Sequence, residues 1–207
     1  KLWLYNLHYF DDLTALNSNE RNDWHHVLID RWIKENKLGE GCGWEPYPTS
    51  LRIINWIKWD LNGNSLKNNW LHSLEIQTRF LSQNIENHLM GNHLFANAKA
   101  LIFAGLFFDG EEAKRWYVKG CNILKRELSE QILPDGGNFE LSPMYHVIFL
   151  EDLLDLVNIH RAFSYELPDK LEKNVQPMFS WLQTMCHPDG EISFFNDAAL
   201  GITPSVE

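Results

Sequence analysis

Apolar residues recur along most of this chain at intervals of three and four, the spacing that gathers them on one face of a helix. Lys1 to Asp12 alternate aromatic and polar groups without a clean period and read as an irregular or single-turn lead-in. A helix is then predicted from a cap at Asn17 or Ser18 to about Lys37, with Trp24, Val27, Leu28 and Trp32 as its apolar stripe and Gly39 past its end. The loop GEGCGWEPYP leads into a helix from about Thr49 to Leu61. After the turn Asn62-Gly63-Asn64, Ser65 caps a helix to about Asn87 that keeps Leu66, Trp70, Leu74, Gln77 and Leu81 on one side. Leu94 to Phe108 is an almost unbroken run of apolar and small residues, long enough for a buried helix. Further helices are expected from Glu111 to about Ile132, Ser142 to Phe163 and Pro168 to about Met185. LPDGGNFE reads as a loop, and HPDGEISFFND as a short hairpin or extended piece. The reading is all-helical.

The stretch Met90-Gly91-Asn92-His93-Leu94-Phe95-Ala96-Asn97 is the centre of this pattern, because it places Asn92 and His93 at the mouth of a buried helix. Free backbone N-H groups and the positive end of the helix dipole favour an anion there. Every second connection has the same character, a Gly-containing loop with aromatic, Asn, His or acidic residues before an apolar helix. These loops centre near Glu45, Asn92, Glu140 and Phe194, spaced by 47, 48 and 54 residues. Two of them repeat locally, as Pro134-Asp135-Gly136 and Pro188-Asp189-Gly190. Helical hairpins with a period of ~50 residues stack as a solenoid or curl into an (α/α) toroid. An incomplete toroid is the preferred architecture, since its inner helices start at one end and bring the unusual loops to one cleft.

Composition narrows the partners. A chain of 207 residues that is 44% hydrophobic fits one domain, 1–207, with a single large core. The net charge of -10 argues against nucleic acid, and no apolar run is long enough to span a membrane. The first residues carry no signal-peptide pattern; since they also lack an initial Met, the chain reads as an excised or processed piece. Cys42, Cys121 and Cys186 are far apart and suggest free thiols. Nine Trp is an unusual share. Such rings can pack on sugar faces, although most, among them Trp24, Trp32, Trp56 and Trp59, are expected to fill helix interfaces.

The loops assemble Trp44, Glu45, Tyr47 and Arg52; Asn92 and His93; Glu140, Tyr145 and His146; and Asn196 and Asp197. No nucleophile elbow, phosphate loop, HExxH or CxxC accompanies them, so no metal or cofactor is expected in this chain. A carbohydrate cleft leaves two chemistries open. Glycoside hydrolysis needs two carboxyl groups about 5 to 10 Å apart, for which Glu45, Glu140 and Asp197 are available. Elimination from a uronic acid needs donors that neutralise its carboxylate, a base for the C5 proton and an acid for the leaving oxygen. Asn and His suit the first task and a Tyr phenol, whose pKa neighbouring cations or donors can lower, suits the others. Each residue also has a plain structural reading: Asn92 as a helix cap, His93 as a hydrogen-bonded residue, Tyr145 as a core tyrosine, Arg52 as a partner of Glu45, and Asn196 and Asp197 as turn formers.

WEPYPTSLRIINWIKW, GNHLFANAKAL, FELSPMYHVIFLEDLLDL and ISFFNDAALGITPS, in that order, resemble the helical domain of the heparinase II/III-like polysaccharide lyases, related to the oligoalginate lyases. The resemblance covers the chain from about Leu4 onward. It implies that Asn92 neutralises the uronate carboxylate, that His93 is an active-site residue and that Tyr145 serves as base and acid. Trp44, Glu45, Tyr47, Arg52, Glu140, His146 and Asn196 are then expected to contact an acidic polysaccharide or oligosaccharide. The resemblance also implies a following β-sandwich domain, absent from this chain, that supplies further catalytic His or Tyr residues and often a metal, and a periplasmic or secreted setting. The acidic balance favours a sparsely sulfated or unsulfated polymer, unless a local cluster of Arg52, Lys99 and His outweighs it at short range.

Overall fold

The structure, a computed structural model, describes residues 2–89, 91–199 and 201–203. The chain forms two compact units, Lys1–Gly120 and Cys121–Glu207. Among the described residues there are eight α-helices: α1 (Leu2–Asn6), α2 (Asn22–Glu35), α3 (Pro46–Leu61), α4 (Asn68–Gln83), α5 (Asn92–Phe107), α6 (Glu111–Gln131), α7 (Pro143–Ala162) and α8 (Leu171–Thr184). Among the described residues the only extended pairing is two isolated antiparallel bridges. No described helix is long and apolar enough to cross a membrane.

In the first unit α3 packs along α5 and α4. α5 is buried on nearly every side from Leu94 to Ala104, as an almost wholly apolar helix must be. Its approach to α6 depends on two glycines. A Cβ at Gly105 would lie 2.6 Å from the Tyr117 backbone nitrogen, and one at Gly120 would lie 2.8 Å from the Ala98 carbonyl oxygen. Tryptophans fill the interfaces as expected at Trp32, Trp56 and Trp59. The rings of Trp32 and Trp56 meet edge to face at 6.0 Å. Each such ring contributes about 2 to 3 kcal/mol through burial.

Helix starts differ from the sequence reading in instructive ways. α3 begins at Pro46, because Pro at the first helical position has the right φ and no N-H to lose. Ser65 does not cap α4; the Leu66 amide is instead taken by the Asp60 carboxylate at 2.7 Å, which holds the linker extended until Asn68. Asn17 sits in the left-handed region ahead of a 3-10 turn, which delays α2 to Asn22. The expected α2 stripe is also corrected. His25, Ile29 and Trp32 form the buried face, while Trp24, Val27 and Leu28 are exposed. The inward face follows the i, i+4, i+7 positions of the residues that reach the core.

In the second unit α7 packs on α8. Ser142 caps α7, its hydroxyl accepting the Tyr145 amide at 3.4 Å. Both PDG sequences close the same miniature hairpin. Leu133 N-H donates to Gly137 O at 2.9 Å and Phe139 N-H to Gln131 O at 2.9 Å; 54 residues later His187 N-H donates to Glu191 O at 2.8 Å and Ser193 N-H to Met185 O at 3.0 Å. Even the turn aspartates repeat, Asp135 accepting from Gly137 N-H at 3.0 Å and Asp189 from Glu191 N-H at 3.1 Å. The hairpin expected at the second sequence is present, and the first, expected as a plain loop, copies it.

Candidate functional site

The entrance to α5 is built from the inside outward. Gly91 precedes the helix at φ 76°, a backbone that L side chains resist, and contributes no side-chain cap. Asn92 is therefore the first helical residue and not the cap, with His93 next to it, both partly exposed. One turn on, the fully buried Asn97 accepts the Glu86 amide at 3.0 Å and donates to Ser50 Oγ at 3.0 Å. Ser50 in turn donates to the Pro46 carbonyl at 2.8 Å. This chain of hydrogen bonds fixes the segment before α5 to the first turn of α3. Met90 lies outside the described residues.

His93 is held on two sides. Its ring stacks on Tyr47 with centroids 4.3 Å apart and planes inclined by 27°, and its Nδ1 lies 3.3 Å from a Glu86 carboxylate oxygen. It borders a cleft of about 590 Å³ whose lining also includes Tyr5, Trp44, Glu45, Phe80, Glu86 and His88. The Glu45 carboxylate accepts a hydrogen bond from the Tyr5 hydroxyl. Trp44 is 5% exposed, its ring set between Trp32 and Phe80 at 5.7 and 5.2 Å. Thus Trp44, Glu45 and His93 share one cleft with Tyr47 behind the histidine, and Asn92 stands at the helix start beside them.

Arg52 is placed differently from the expectation of a substrate contact. It is fully buried, with Nε donating to Gln77 at 2.7 Å and the terminal nitrogens to the His8 carbonyl at 3.2 Å and Thr49 at 3.3 Å. The guanidinium also lies 3.8 Å from the Trp32 ring centroid. Burial lowers its pKa, and its donors hold the lead-in against α3 and α4. Lys99 is likewise buried, with its ammonium 5.6 Å from the Phe103 ring centroid. The surface cluster of Arg52 and Lys99 is therefore not formed: two cations that lie in the core cannot screen an acidic face.

The second unit holds Glu140, Tyr145, His146, Asn196 and Asp197. Ser142 Oγ donates to the Asp197 carbonyl at 2.7 Å, and Asn196 Nδ2 to the Leu141 carbonyl at 2.5 Å, which ties the two PDG segments together just beyond their hairpins. Tyr145 sits over this junction. Burial, then the negative charges of Asp197 and Glu140, and a hydrogen bond to Asp197 raise its phenol pKa above the ordinary value. Within this unit the phenol is thus set to keep its proton. The Glu140 amide donates to Asn138 at 3.0 Å.

His146 is fully buried, unlike the substrate contact it was expected to be. Its Nδ1 accepts from Asn138 N-H at 3.2 Å, its Nε2 faces the Met178 carbonyl at 3.0 Å, and its ring stacks on Trp181 at 4.4 Å. Both ring nitrogens are committed, and burial lowers its pKa. Sequence reasoning missed Tyr5, Glu86, Asn97 and the pairing of Asp197 with Tyr145. Asn97 had a signal, since it lies four residues after His93 among apolar and small residues of the same helix.

Known proteins resemble this chain in sequence and in fold. A heparin-sulfate lyase of Bacteroides stercoris is 34% identical over 113 residues, 53% of this chain and 17% of that protein. A heparin-sulfate lyase of Pedobacter heparinus is 26% identical over 195 residues, 85% of this chain and 28% of that protein. The chain therefore spans less than a third of the length of either relative. Among solved structures, a heparinase III superposes with a TM-score of 0.71 at 22% identity, covering 88% of this chain and 30% of that one. A mutant heparan sulfate lyase of Pedobacter heparinus gives 0.61 at 26% identity, covering 78% and 28%. The all-α fold of helical hairpins, an incomplete (α/α) toroid, is the class that the heparinase III likeness supports. The sequence pattern of the Heparinase II/III N-terminus runs through residues 20–205, taking in the entrance to α5 and the Tyr145 segment alike, and the chain belongs to that family.

Proposed function

We propose that this chain is the helical part of a polysaccharide lyase that cleaves a uronic-acid-containing glycosaminoglycan by β-elimination. The observation that carries the reading is the entrance to α5, in a chain of this family, where Asn92 and a doubly held His93 stand at the start of a buried helix. Amide and imidazole donors at a helix N-terminus suit a carboxylate whose charge grows as the C5 proton leaves; one such donor contributes about 3 to 4 kcal/mol to the transition state. Tyr145 is the proton-handling group. The phenol keeps its proton and can hand it to the leaving O4 oxygen; use of the same phenol as base requires a nearby cation or donor to offset Asp197 and Glu140. Glu45 and Glu86 in the cleft favour a sparsely sulfated sugar there, because like charges at short range are costly.

The test is absorbance in the near ultraviolet when the full-length protein is incubated with a panel of uronic-acid polysaccharides. A rise marks the conjugated C4-C5 double bond that elimination creates, and its loss in Tyr145→Phe would tie it to this residue. New reducing ends without absorbance would instead mark hydrolysis and sink the reading.

A further inference from the structure

Glu86 enters the function just described only as a negative charge in the cleft and a contact of His93, yet its surroundings are closely built. It is 8% exposed, its amide is held by the buried Asn97, and its carboxylate meets His93 Nδ1 at 3.3 Å. An ionised carboxylate only accepts hydrogen bonds, so the shared hydrogen belongs to the imidazole Nδ1. A ring nitrogen fixed in this way decides which tautomer the other nitrogen shows. The stack on Tyr47 restricts the ring plane. Neither constraint uses Nε2, while the His93 side chain keeps 31% of its surface exposed beside the cleft.

We propose that Glu86 is a positioning residue that holds the hydrogen on His93 Nδ1, so that Nε2 is the one ring nitrogen His93 offers to a ligand. The proposal rests on the lyase reading only for its catalytic consequence; the tautomer itself does not depend on it. When the imidazole is neutral, Nε2 is a lone-pair acceptor; when it is protonated, Nε2-H is a donor with Glu86 on the opposite ring nitrogen. In either state the Nδ1 hydrogen stays where it is. The other ionisable groups at this cleft are Tyr5 from α1, Glu45 ahead of α3, Tyr47 on α3 and His88 in the segment before α5. Glu45 is occupied by the Tyr5 hydroxyl, which leaves Glu86 as the carboxylate seated on His93. Asn97, one helical turn beyond His93 on α5, makes the arrangement self-consistent, since a single helix sets both the histidine and the amide acceptor that anchors its partner.

The experiment is nitrogen NMR of histidine-labelled full-length protein across pH, with His93 assigned by its loss in His93→Gln. Above the His93 titration the wild type is expected to show Nδ1 protonated and Nε2 bare. Glu86→Ala is expected to return His93 to the Nε2-H form that an unconstrained histidine side chain favours. A wild-type His93 already in the Nε2-H form would overturn the proposal without any variant, so a poorly folding Glu86→Ala does not leave it untested. In the absorbance assay Glu86→Ala should lower kcat by roughly 10- to 100-fold, the range for removing a partner that orients a functional histidine, with KM changed less. If no polysaccharide gives absorbance, the lyase reading fails and the tautomer result still stands; if elimination is seen but the tautomer is unchanged in Glu86→Ala, the positioning role fails by itself.

Discussion

Two histidines in this molecule are held by nearly the same contacts and left in opposite conditions. His93 stacks on Tyr47 at 4.3 Å and His146 on Trp181 at 4.4 Å, with ring planes inclined by 27° and 30°. The difference lies in what remains. His146 gives both nitrogens to the backbone and has no exposed surface, whereas His93 commits Nδ1 to Glu86 and keeps an exposed edge at a cleft. Stacking therefore says little about function; the account of the ring nitrogens separates a structural pin from a group that can meet a ligand.

The comparison can be broken by substitution. The largest effect is expected for Tyr145→Phe in the full-length protein, where loss of the phenolic proton should reduce elimination by about 10²- to 10⁴-fold, read by absorbance. Asn92→Ala should follow, with a loss of about 10²- to 10³-fold in kcat. Both should keep the wild-type circular dichroism and unfolding midpoint; a collapsed fold would assign these residues to structure instead.

Stability should rank the two histidines in the reverse order from activity. His146→Ala strands the Asn138 amide and the Met178 carbonyl and opens a gap beside Trp181, so a loss of about 3 kcal/mol is expected in urea unfolding. His93→Ala, already partly hydrated, should cost less than about 1 kcal/mol. Equal losses would erase the distinction.

The smallest effect is a slope with pH. Burial lowers the folded-state pKa of His146 from its ordinary 6.5, so below that value the unfolded chain binds the proton more readily. The His146 contribution is intact above about pH 6.5 and diminishes as pH falls from there toward the folded-state pKa. His8 and His160 are lowered in the same direction and add to the slope. His146→Gln should flatten part of it, measured as unfolding free energy between neutral and mildly acidic pH.

Much of the helix pattern was legible because it follows from burial, and burial leaves a period. α5 was readable from its continuous apolar run and α7 from Ser142 and Pro143 at its start. The PDG repeat itself showed in Pro, Asp and Gly at a fixed offset, but only the second copy reads in the sequence as a hairpin or extended piece, and the first as a plain loop. Other features were closed to this reasoning. Whether Trp24 or His25 faces inward depends on which neighbours arrive, and those come from Asp12 and the lead-in. Arg52 carries a charge that marks it as a surface residue until Gln77, Thr49 and the His8 carbonyl are found around it. Glu86 sits in an unremarkable polar segment, and only the fold brings Asn97 to its amide and His93 to its carboxylate.

The glycine contacts between α5 and α6 make α5 a lever. Gly105 lies thirteen residues from Asn92, ~20 Å along a helix that is stiff over such a span. A methyl group added there would press on the Tyr117 backbone and tilt the helix about its buried middle. Even a few degrees of tilt moves the far end by about 1 Å, a displacement large enough to spoil the alignment of reacting groups. Gly105 thus sets the aim of Asn92 and His93 from the opposite end of their helix.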